Sequence, residues 1–308
     1  MVRQPIAPTA CRVGCSIVTV DVKEAAPRIS VVLSFRDPGP RFEDALASLR
    51  WQTEVDWELI AIDDGSRDGS AGCRGLQGDP RIRVIRHERG AGLAVRLNEG
   101  VALARGCYIA RMDADDVSFP QRLKVQADFL DAHPEVDLLA CSVLMIDGDD
   151  VAQCVVTSPA THEDIVRCAA QRFPMPHPTW MGRAAWFRQH PYDEWAVKSQ
   201  DQHLLYRTYR NSRFAAISAP LLAYRYDRLS VRKTTTGRYH FLRAVWSHGS
   251  ARDRLVGTMR HALAAGRDMV AMMLGQDRQV IRRRGSPVPV DLDRAWGELK
   301  RRLEAVRS

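Results

Sequence analysis

The 308-residue sequence has no apolar run long enough to cross a bilayer, and residues 1–28 lack the apolar core of a secretory signal. Its seven cysteines are odd in number and scattered through apparent strands and helices, so they form no disulfide framework. Cys11 and Cys15 have no histidine or cysteine nearby at zinc-ligand spacing. These absences argue against a membrane-spanning or disulfide-rich protein, and we expect a cytoplasmic chain with reduced thiols.

Charge is distributed unevenly along the chain. The formal net charge is +8, and residues 228–308 carry 18 Lys and Arg against 7 Asp and Glu, which leaves the preceding part slightly acidic. A basic segment attracts anionic surfaces, although a solvated arginine-rich surface is the alternative. Because the segment contains no recognisable nucleic-acid-binding module, we expect no nucleic-acid partner.

Short apolar runs alternate with helical periodicities over residues 29–147. Strands are predicted at Ile29–Leu33, Trp57–Ile62, Ile82–Ile85, Tyr108–Met112 and Val136–Cys141. Apolar residues repeat at helical spacing between them, and Ser118 with Gln121 fits a capping box before the helix that follows the fourth strand. The alternation predicts an α/β fold with a mainly parallel sheet flanked by helices.

An acidic run, Asp113-Ala114-Asp115-Asp116, follows the fourth predicted strand directly. Carboxylates this close repel one another and raise each other's pKa unless a cation neutralises them. Oxygen ligands suit Mg²⁺ or Mn²⁺, which also bind the phosphate oxygens of a substrate. The run therefore predicts a metal site for a phosphorylated ligand, and a solvated turn that caps the next helix is the alternative.

Other polar residues also follow predicted strand ends. Asp37 comes after the first strand, Asp63 and Asp64 end the second, and His87 follows the third. Ligands of parallel α/β sheets bind beyond the carboxyl ends of the strands. We therefore expect these side chains to converge with the acidic run on one crevice, which favours the metal site.

A dinucleotide site is a rival interpretation. Gly90-Ala91-Gly92 follows a strand and opens a helix, with Asp113 about twenty residues further on, as an NAD-dependent dehydrogenase requires. The match is incomplete, because Val95 stands where a third small residue should permit close packing of helix and strand. It also leaves Asp63 and the acidic run unexplained.

Four ordered motifs carry a family resemblance. They are Ile29-Ser30-Val31-Val32-Leu33, Ile62-Asp63-Asp64-Gly65-Ser66 with Asp68-Gly69, Asn98-x-Gly100 with Ala104-x-Gly106, and Ala110 to Asp116. In this order and spacing the chain resembles the nucleotide-sugar domain of glycosyltransferase family 2, which has the GT-A fold. The resemblance implies a catalytic domain over residues 29–227, with a donor half at 29–147 and an acceptor half at 148–227. An extended leader, 1–28, would precede it, and a basic helical extension, 228–308, would follow.

The resemblance implies metal-dependent, inverting transfer of a hexose-type unit from a nucleoside diphosphate sugar, UDP-linked in our interpretation. The acceptor would be a glycan or a lipid-linked molecule in cell-surface polysaccharide or glycolipid synthesis. Asp63 and Asp64 would lie near the base and ribose, with Asp37 close to the base. Asp113 would contact the ribose or the metal, and Asp115 would bind the metal.

The same resemblance implies a catalytic base in the acceptor half. Asp201 stands where the family has a Glu-Asp pair opening a helix, although Gln200 replaces the usual Glu. His177, in a His-Pro-Thr segment, would contact the diphosphate or the acceptor, or serve a structural role. Gln200 and the unusual Ser34 leave a second alternative open, a nucleotide-sugar binder that has lost catalysis.

The end of the chain predicts a basic amphipathic helix. Its apolar stripe consists of Leu292, Trp296, Leu299, Leu303 and Val306. Such a helix docks on its own domain or on a partner, or it lies on the cytoplasmic face of a membrane, near a lipid-linked acceptor. Residues 255–274 could add a second interfacial helix.

Overall fold

The computed structural model describes residues 26–226, 231–273 and 285–307. Most of the predicted leader, including Cys11 and Cys15, therefore lies outside the described residues. The predicted boundary at residue 228 also lies outside them.

Four parallel strands form the first half of the sheet, as predicted. They are β1 (Ile29–Phe35), β2 (Trp57–Asp63), β3 (Ile82–Arg86) and β4 (Tyr108–Arg111). Their order is β3-β2-β1-β4, and Leu33 of β1 pairs with Ala61 of β2. Strand β2 is buried throughout, as is typical of a parallel sheet covered on both faces. The carboxyl ends of β1, β2 and β4 therefore point to one edge.

The second half of the sheet is mixed. Its strands are β5 (Val117–Ser118), β6 (Leu138–Ile146), β7 (Ala152–Val156), β8 (Met181–Arg183) and β9 (Phe214–Arg225). Strand β8 is antiparallel to both β4 and β6, whereas β9 is parallel to β6 and antiparallel to β5. Strand β7 returns directly along β6, and a connection that short permits only antiparallel pairing. The predicted α/β class is confirmed, with a sheet that is parallel over β1 to β4 and mixed beyond them.

Helices cover both faces of this sheet. They are α1 (Arg41–Arg50), α2 (Leu93–Leu103), α3 (Arg122–Ala132), α4 (His162–Val166), α5 (Ala184–Gln189), α6 (Gln200–Thr208), α7 (Val231–His248), α8 (Ala251–Met273) and α9 (Val290–Arg307). Val31 and Leu33 pack with α1 and α3, while Val32 packs with α2 on the opposite face. This alternation follows from the two-residue period of a strand.

The predicted capping box at Ser118 and Gln121 is wrong. Ser118 belongs to β5, where its hydroxyl accepts a hydrogen bond from Gln52 and its backbone N–H donates to Ser48. Gln121 occupies the N-cap position of α3 without a side-chain capping bond. Ser118 instead pairs with β9 and bonds to residues of and next to α1, so its hydroxyl does not cap the start of α3.

The helices that follow residue 230 pack on the sheet and on the helices that flank it. Phe241, Ala244 and Val245 of α7 lie in the same apolar cluster as α6. Trp296 and Leu303 of α9 are buried with side chains of β5, β6, β7 and β9. The apolar stripe of the predicted last helix therefore docks on the protein itself.

Candidate active site

The acidic run forms a tight loop between β4 and β5, which we call the acidic loop (residues 113–116). One carboxylate oxygen from each of Asp113, Asp115 and Asp116 lies within 4.8 Å of the others. Asp116 is buried, whereas Asp115 reaches solvent and Asp113 is half-buried. The three oxygens converge, and the cluster is open to solvent at Asp115, so a cation could enter from that side.

Arg225 of β9 holds the acidic loop in place. Its backbone N–H donates to Asp116 Oδ1 at 2.8 Å, and its Nε donates to the Asp115 carbonyl oxygen at 2.9 Å. Asp116 Oδ2 is buried and has no hydrogen-bond partner within the described part of the chain. An unpartnered buried carboxylate oxygen is costly, and a cation in the cluster would compensate it.

The electrostatics of the acidic loop also favour a cation. Withdrawal from bulk water and the charge of Asp113 raise the pKa of Asp115 to about 6, although solvent still reaches this side chain. Burial, followed by the charges of Asp113 and Asp115, raises the pKa of Asp116 well above its ordinary value. These oxygen donors fit Mg²⁺ or Mn²⁺, because such an ion would remove the repulsion that raises both pKa values.

A cavity of about 550 Å³ extends from Asp113 of the acidic loop to residues 172–178 and 198–202. Asp113 and Asp201, which are far apart in the sequence, both line it. His177 and Tyr224 also face this cavity. The structure therefore brings the predicted metal ligand and the predicted base to one space.

Arg111, the last residue of β4, is a lining residue that the sequence interpretation missed. It is 4% exposed and donates a hydrogen bond to Asp113. Its Nε and Nη1 have no partner among the residues described. A guanidinium with two uncommitted N–H groups next to carboxylates is suited to bind a phosphate. The sequence did offer a signal for this role, because Arg111 is a charged residue at the end of an otherwise apolar strand.

Asp201 lies in the first turn of α6, which begins at Gln200 as the sequence predicted. Burial raises the pKa of Asp201, and hydrogen bonds from the backbone and side chain of Gln202 offset this only in part. The Gln202 Nε2 atom lies 3.2 Å from Asp201 Oδ2. A carboxylate with a raised pKa is a stronger base than an ordinary one, which suits proton removal from a hydroxyl.

His177 opens a short 3₁₀ turn and is 8% exposed. Its Nε2 lies 2.8 Å from the Tyr192 hydroxyl. Burial and the charge of Arg111 hold the pKa of His177 well below its ordinary value, so the ring is neutral near pH 7. His177 and Tyr192 form a buried pair beneath the cavity, and the sequence had not singled out Tyr192 as the partner.

The carboxylate oxygens of Asp64 accept hydrogen bonds from other residues of the protein. Its Oδ1 accepts hydrogen bonds from Ala91 N and Arg96 Nε, both at 2.7 Å, and its Oδ2 accepts one from Gly92 N at 3.0 Å. Burial alone would raise the pKa of Asp64, but these bonds hold it below its ordinary value. The N–H groups of Ala91 and Gly92, which a dinucleotide would have required, are thus occupied by a carboxylate.

Asp63 and Asp37 shape the loop after β2. Asp63 is 2% exposed, and its Oδ1 accepts a hydrogen bond from Ser66 N at 2.7 Å across the turn at Gly65, where φ is 84°. Asp37 has a φ of 48°, and its Oδ1 accepts a hydrogen bond from Arg67 N at 2.6 Å. Neither residue is among those that line the 550 Å³ cavity. His87 lies 3.0 Å from Glu99 and forms a separate pair.

Comparison with known proteins identifies the family. The model of "Glycosyl transferase family 2" matches residues 30–187, about half of the chain. The chain belongs to glycosyltransferase family 2. It is also 28% identical over 233 residues to an uncharacterised glycosyltransferase of Methanocaldococcus jannaschii, which covers 72% of this chain and 80% of that protein. The protein is therefore a glycosyltransferase enzyme.

Solved structures confirm the fold of this glycosyltransferase. TarS of S. aureus in complex with UDP-GlcNAc matches with a TM-score of 0.57 at 18% identity, over 75% of this chain and 69% of that chain. The mannosyltransferase PcManGT of Pyrobaculum calidifontis, in complex with GDP-Man and Mn²⁺, matches with a TM-score of 0.55 at 17% identity. That match covers 92% of this chain and 81% of PcManGT. None of the helices described in this glycosyltransferase is long and apolar enough to span a membrane.

Proposed function

We propose that this glycosyltransferase transfers a sugar, with inversion, from a nucleoside diphosphate sugar to a hydroxyl of a glycan or lipid-linked acceptor. The observation that carries the proposal is the cavity shared by Asp113 and Asp201. A cation-binding cluster beside one wall and a carboxylate of raised pKa at another are what displacement of a diphosphate by a hydroxyl needs. Synthesis of a cell-surface polysaccharide or glycolipid is the setting we propose.

Asp113 and Asp115 would hold Mg²⁺ or Mn²⁺, with Asp116 as the buried carboxylate behind them. When bound, the ion supplies charge neutralisation for the departing diphosphate. The two uncommitted N–H groups of Arg111 would donate to diphosphate oxygens and orient them. Because Arg111 already bonds Asp113, it would couple the position of the phosphates to that of the metal ligands.

Asp201 would accept the proton of the acceptor hydroxyl as that oxygen attacks the sugar. Its place at the start of α6 keeps it fixed, and its raised pKa increases its basicity. The neutral pair of His177 and Tyr192 would shape the floor of the cavity without adding charge.

We assign the nucleobase to the loop after β2, with Asp63 as its hydrogen-bond acceptor. Asp63 receives one backbone hydrogen bond, from Ser66, whereas Asp64 receives three hydrogen bonds. Asp64 would act as a positioning residue that fixes residues 90–92, and Asp37 would fix residues 66–68. A carboxylate acceptor favours the N–H of a uracil edge, so UDP-sugars are the donors we propose.

We also propose that the protein attaches to an anionic bilayer through α8 rather than α9. Leu255, Met259 and Leu263 recur every four residues along α8 and are 65%, 57% and 73% exposed. Exposed Arg252 and Arg260 lie on the same helix, and an apolar stripe with flanking arginines complements an anionic membrane surface.

A donor screen tests the proposed activity. Hydrolysis of UDP- and GDP-sugars is measured with Mn²⁺, with Mg²⁺ and with EDTA, and we expect turnover of a UDP-sugar only when metal is present. Asp115→Asn should lose metal-dependent nucleotide binding, whereas Asp128→Asn, which removes an exposed carboxylate of α3, should retain it. Tight nucleotide binding with no turnover of any donor would instead support the inactive binder.

A further inference from the structure

A second cavity, of about 640 Å³, lies between residues 164–174 and the helices α7 and α8. We call it the arginine cavity. The cationic and imidazole side chains that line it are those of Arg167, Arg172, Arg238, Arg260, Arg267 and His261. None of the sequence motifs accounts for this cluster, and Arg260 is the one member that has a role above, beside the apolar stripe of α8.

Positive charge in the arginine cavity exceeds negative charge. Asp164 and Asp268 are the carboxylates that line or border it, so five arginines give a net charge of +3 with His261 neutral. Arg167 pairs with Asp164, and Arg238 Nη2 lies 2.5 Å from Asp268 Oδ2. No carboxylate among the described residues pairs with Arg172 or Arg260, whose guanidinium groups are exposed.

Arg260 is oriented by uncharged groups. Its Nη1 donates to Gln171 Oε1 at 3.1 Å and approaches Cys168 Sγ at 3.6 Å. These bonds hold the guanidinium over the cavity without neutralising it. An anion entering the cavity would therefore meet a positioned cation.

His261 gives the second indication of a missing ligand. This residue of α8 is 9% exposed, lines the arginine cavity, and has an Nε2 atom with no hydrogen-bond partner in the part of the chain that is described. Burial and the charge of Arg238 lower the pKa of His261 below its ordinary value. A bound anion would favour the protonated ring, whose Nε2–H would donate to the anion.

The arginine cavity communicates with the candidate active site. Arg172 lines the arginine cavity, the 550 Å³ cavity and a smaller one of about 340 Å³ between them. Phe173 beside it is tied to α6, because Phe173 N donates to Gln202 Oε1 at 2.8 Å and Gln202 Nε2 donates to Phe173 O at 3.2 Å. Asp201 is the neighbour of Gln202, so the arginine cavity keeps a fixed position relative to the candidate base.

We propose that the arginine cavity binds a phosphate group of the acceptor while an acceptor hydroxyl lies at Asp201. This inference rests on the proposed transferase function and narrows its acceptor to a phosphate-bearing molecule. Three uncompensated positive charges exceed what the single charge of a carboxylate requires and suit a phosphate dianion, whose oxygens can accept bonds from several arginines. The phosphate could belong to a glycan or to a lipid.

Isothermal calorimetry tests the proposal by measuring the dissociation constant of inorganic phosphate from the full chain in the presence of EDTA. We expect the double variant Arg172→Gln/Arg260→Gln to bind phosphate at least tenfold more weakly than the wild type. The matched control, Arg252→Gln/Arg254→Gln, removes two exposed arginines of α8 outside the cavity and should bind as the wild type does. Equal binding by wild type and the first variant, or equal loss in both variants, would overturn the proposal.

Two further probes separate the sources of the phosphate. Tighter binding of hexyl phosphate than of glycerol phosphate would assign a lipid phosphate, and equal binding would assign a phosphate within a glycan. Acetate binding as tight as that of phosphate would overturn the assignment of phosphate. Metal-dependent hydrolysis of the donor by water needs no acceptor, so in the wild type it tests the proposed function independently of the arginine cavity. If the wild type shows no such hydrolysis, the proposed function is contradicted. The phosphate titration would still report whether the arginine cavity binds an anion.

Discussion

At the scale of single residues, the carboxylates of this glycosyltransferase divide by how many of their oxygens the protein already uses. Asp64 accepts three hydrogen bonds, whereas Asp116 keeps a buried oxygen without a partner among the described residues. Asp201 is half-buried, and its partial withdrawal from water raises its pKa. A carboxylate with filled acceptor sites shapes the backbone around it, and one with unfilled sites can bind a ligand or a proton.

Replacement of Asp201 by Asn should lower the transfer rate about 10²–10⁴-fold, the usual contribution of a general base. The amide cannot take the proton of the acceptor hydroxyl, but it keeps the size of the side chain, so the dissociation constant of the donor should not change. Steady-state transfer kinetics and donor titration measure the two quantities, with Asp128→Asn as the control. Transfer at the wild-type rate would rule out Asp201 as the base.

The wild-type enzyme should also lose transfer activity as the pH falls. Asp201 acts as a base only when ionised, and burial raises its pKa, so the acidic limb of the rate profile should lie above the range of an ordinary aspartate. The rate of single-turnover transfer from pH 4.5 to pH 8 measures this limb. A rate that stays constant down to pH 4.5 would contradict the assignment.

At the scale of elements, regular strands were easier to predict than short or irregular ones. The predicted bounds of β1 to β4 agree with the structure within two residues. Apolar residues fill β1, β2 and β4, which are buried on both faces, and three apolar residues mark the partly exposed edge strand β3. Strand β5 has two residues and β8 has three, which is too short for any periodicity. Strand β9 contains Pro220 and a shifted register opposite Ser142 of β6, so its local pattern is irregular.

The last helix, α9, is amphipathic in sequence, but its tertiary contacts decide where its apolar stripe lies. Leu303 is fully buried and Trp296 donates a hydrogen bond to the Asp150 carbonyl oxygen at 3.0 Å. At the end of the helix, Arg307 pairs with the buried carboxylates of Asp44 and Asp150. Asp150 also pairs with Arg225, the residue that holds the acidic loop. Docking of α9 is thus connected to the geometry of the acidic loop.

Truncation of Leu303 to Ala should lower the free energy of unfolding by about 2–5 kcal/mol, because it leaves a cavity under a fully buried side chain. Val306→Ala on the same helix alters a side chain that is 41% exposed and should change stability by no more than about 0.5 kcal/mol. Urea denaturation of both variants provides the measurement. Equal stability of the two would show that α9 is not docked.

At the scale of the whole molecule, the surface of α8 combines an exposed apolar stripe with the arginine cavity. Arg260 lines that cavity and lies next to Met259 of the stripe. A bilayer that received the stripe would therefore lie close to the place that we assign to the acceptor phosphate. The described part of the chain contains no helix that could span the bilayer, so attachment by this route would be peripheral.

Sedimentation with vesicles that contain phosphatidylglycerol tests the attachment. We expect Leu263→Glu to weaken binding at least about tenfold, because burial of one leucine side chain contributes roughly 1.5–3 kcal/mol. Val55→Glu places the same charge at another exposed apolar position and should have no effect. High salt should weaken binding of the wild type, since the arginines contribute electrostatic attraction. Undiminished binding by Leu263→Glu would exclude α8 as the membrane surface.

The sequence by itself determined the class of the fold, the family and the acidic loop. These depend on local patterns: apolar runs that predict buried strands, turn residues at the strand ends, and carboxylates close enough together to predict a cation site. It also identified Asp201 as a candidate base, through the resemblance of its position to that of the family.

Only the tertiary structure decided which polar side chains remain available to bind a ligand. Asp63 and Asp64 are adjacent in sequence, but the carboxylate of Asp64 accepts hydrogen bonds from Ala91 and Gly92, in the loop before α2, and from Arg96 within α2. The role of Arg111, the docking of α9 and the arginine cavity likewise depend on residues that are distant in the chain. Hydrogen bonding and burial are properties of neighbours in space, and a sequence pattern reports only neighbours along the chain.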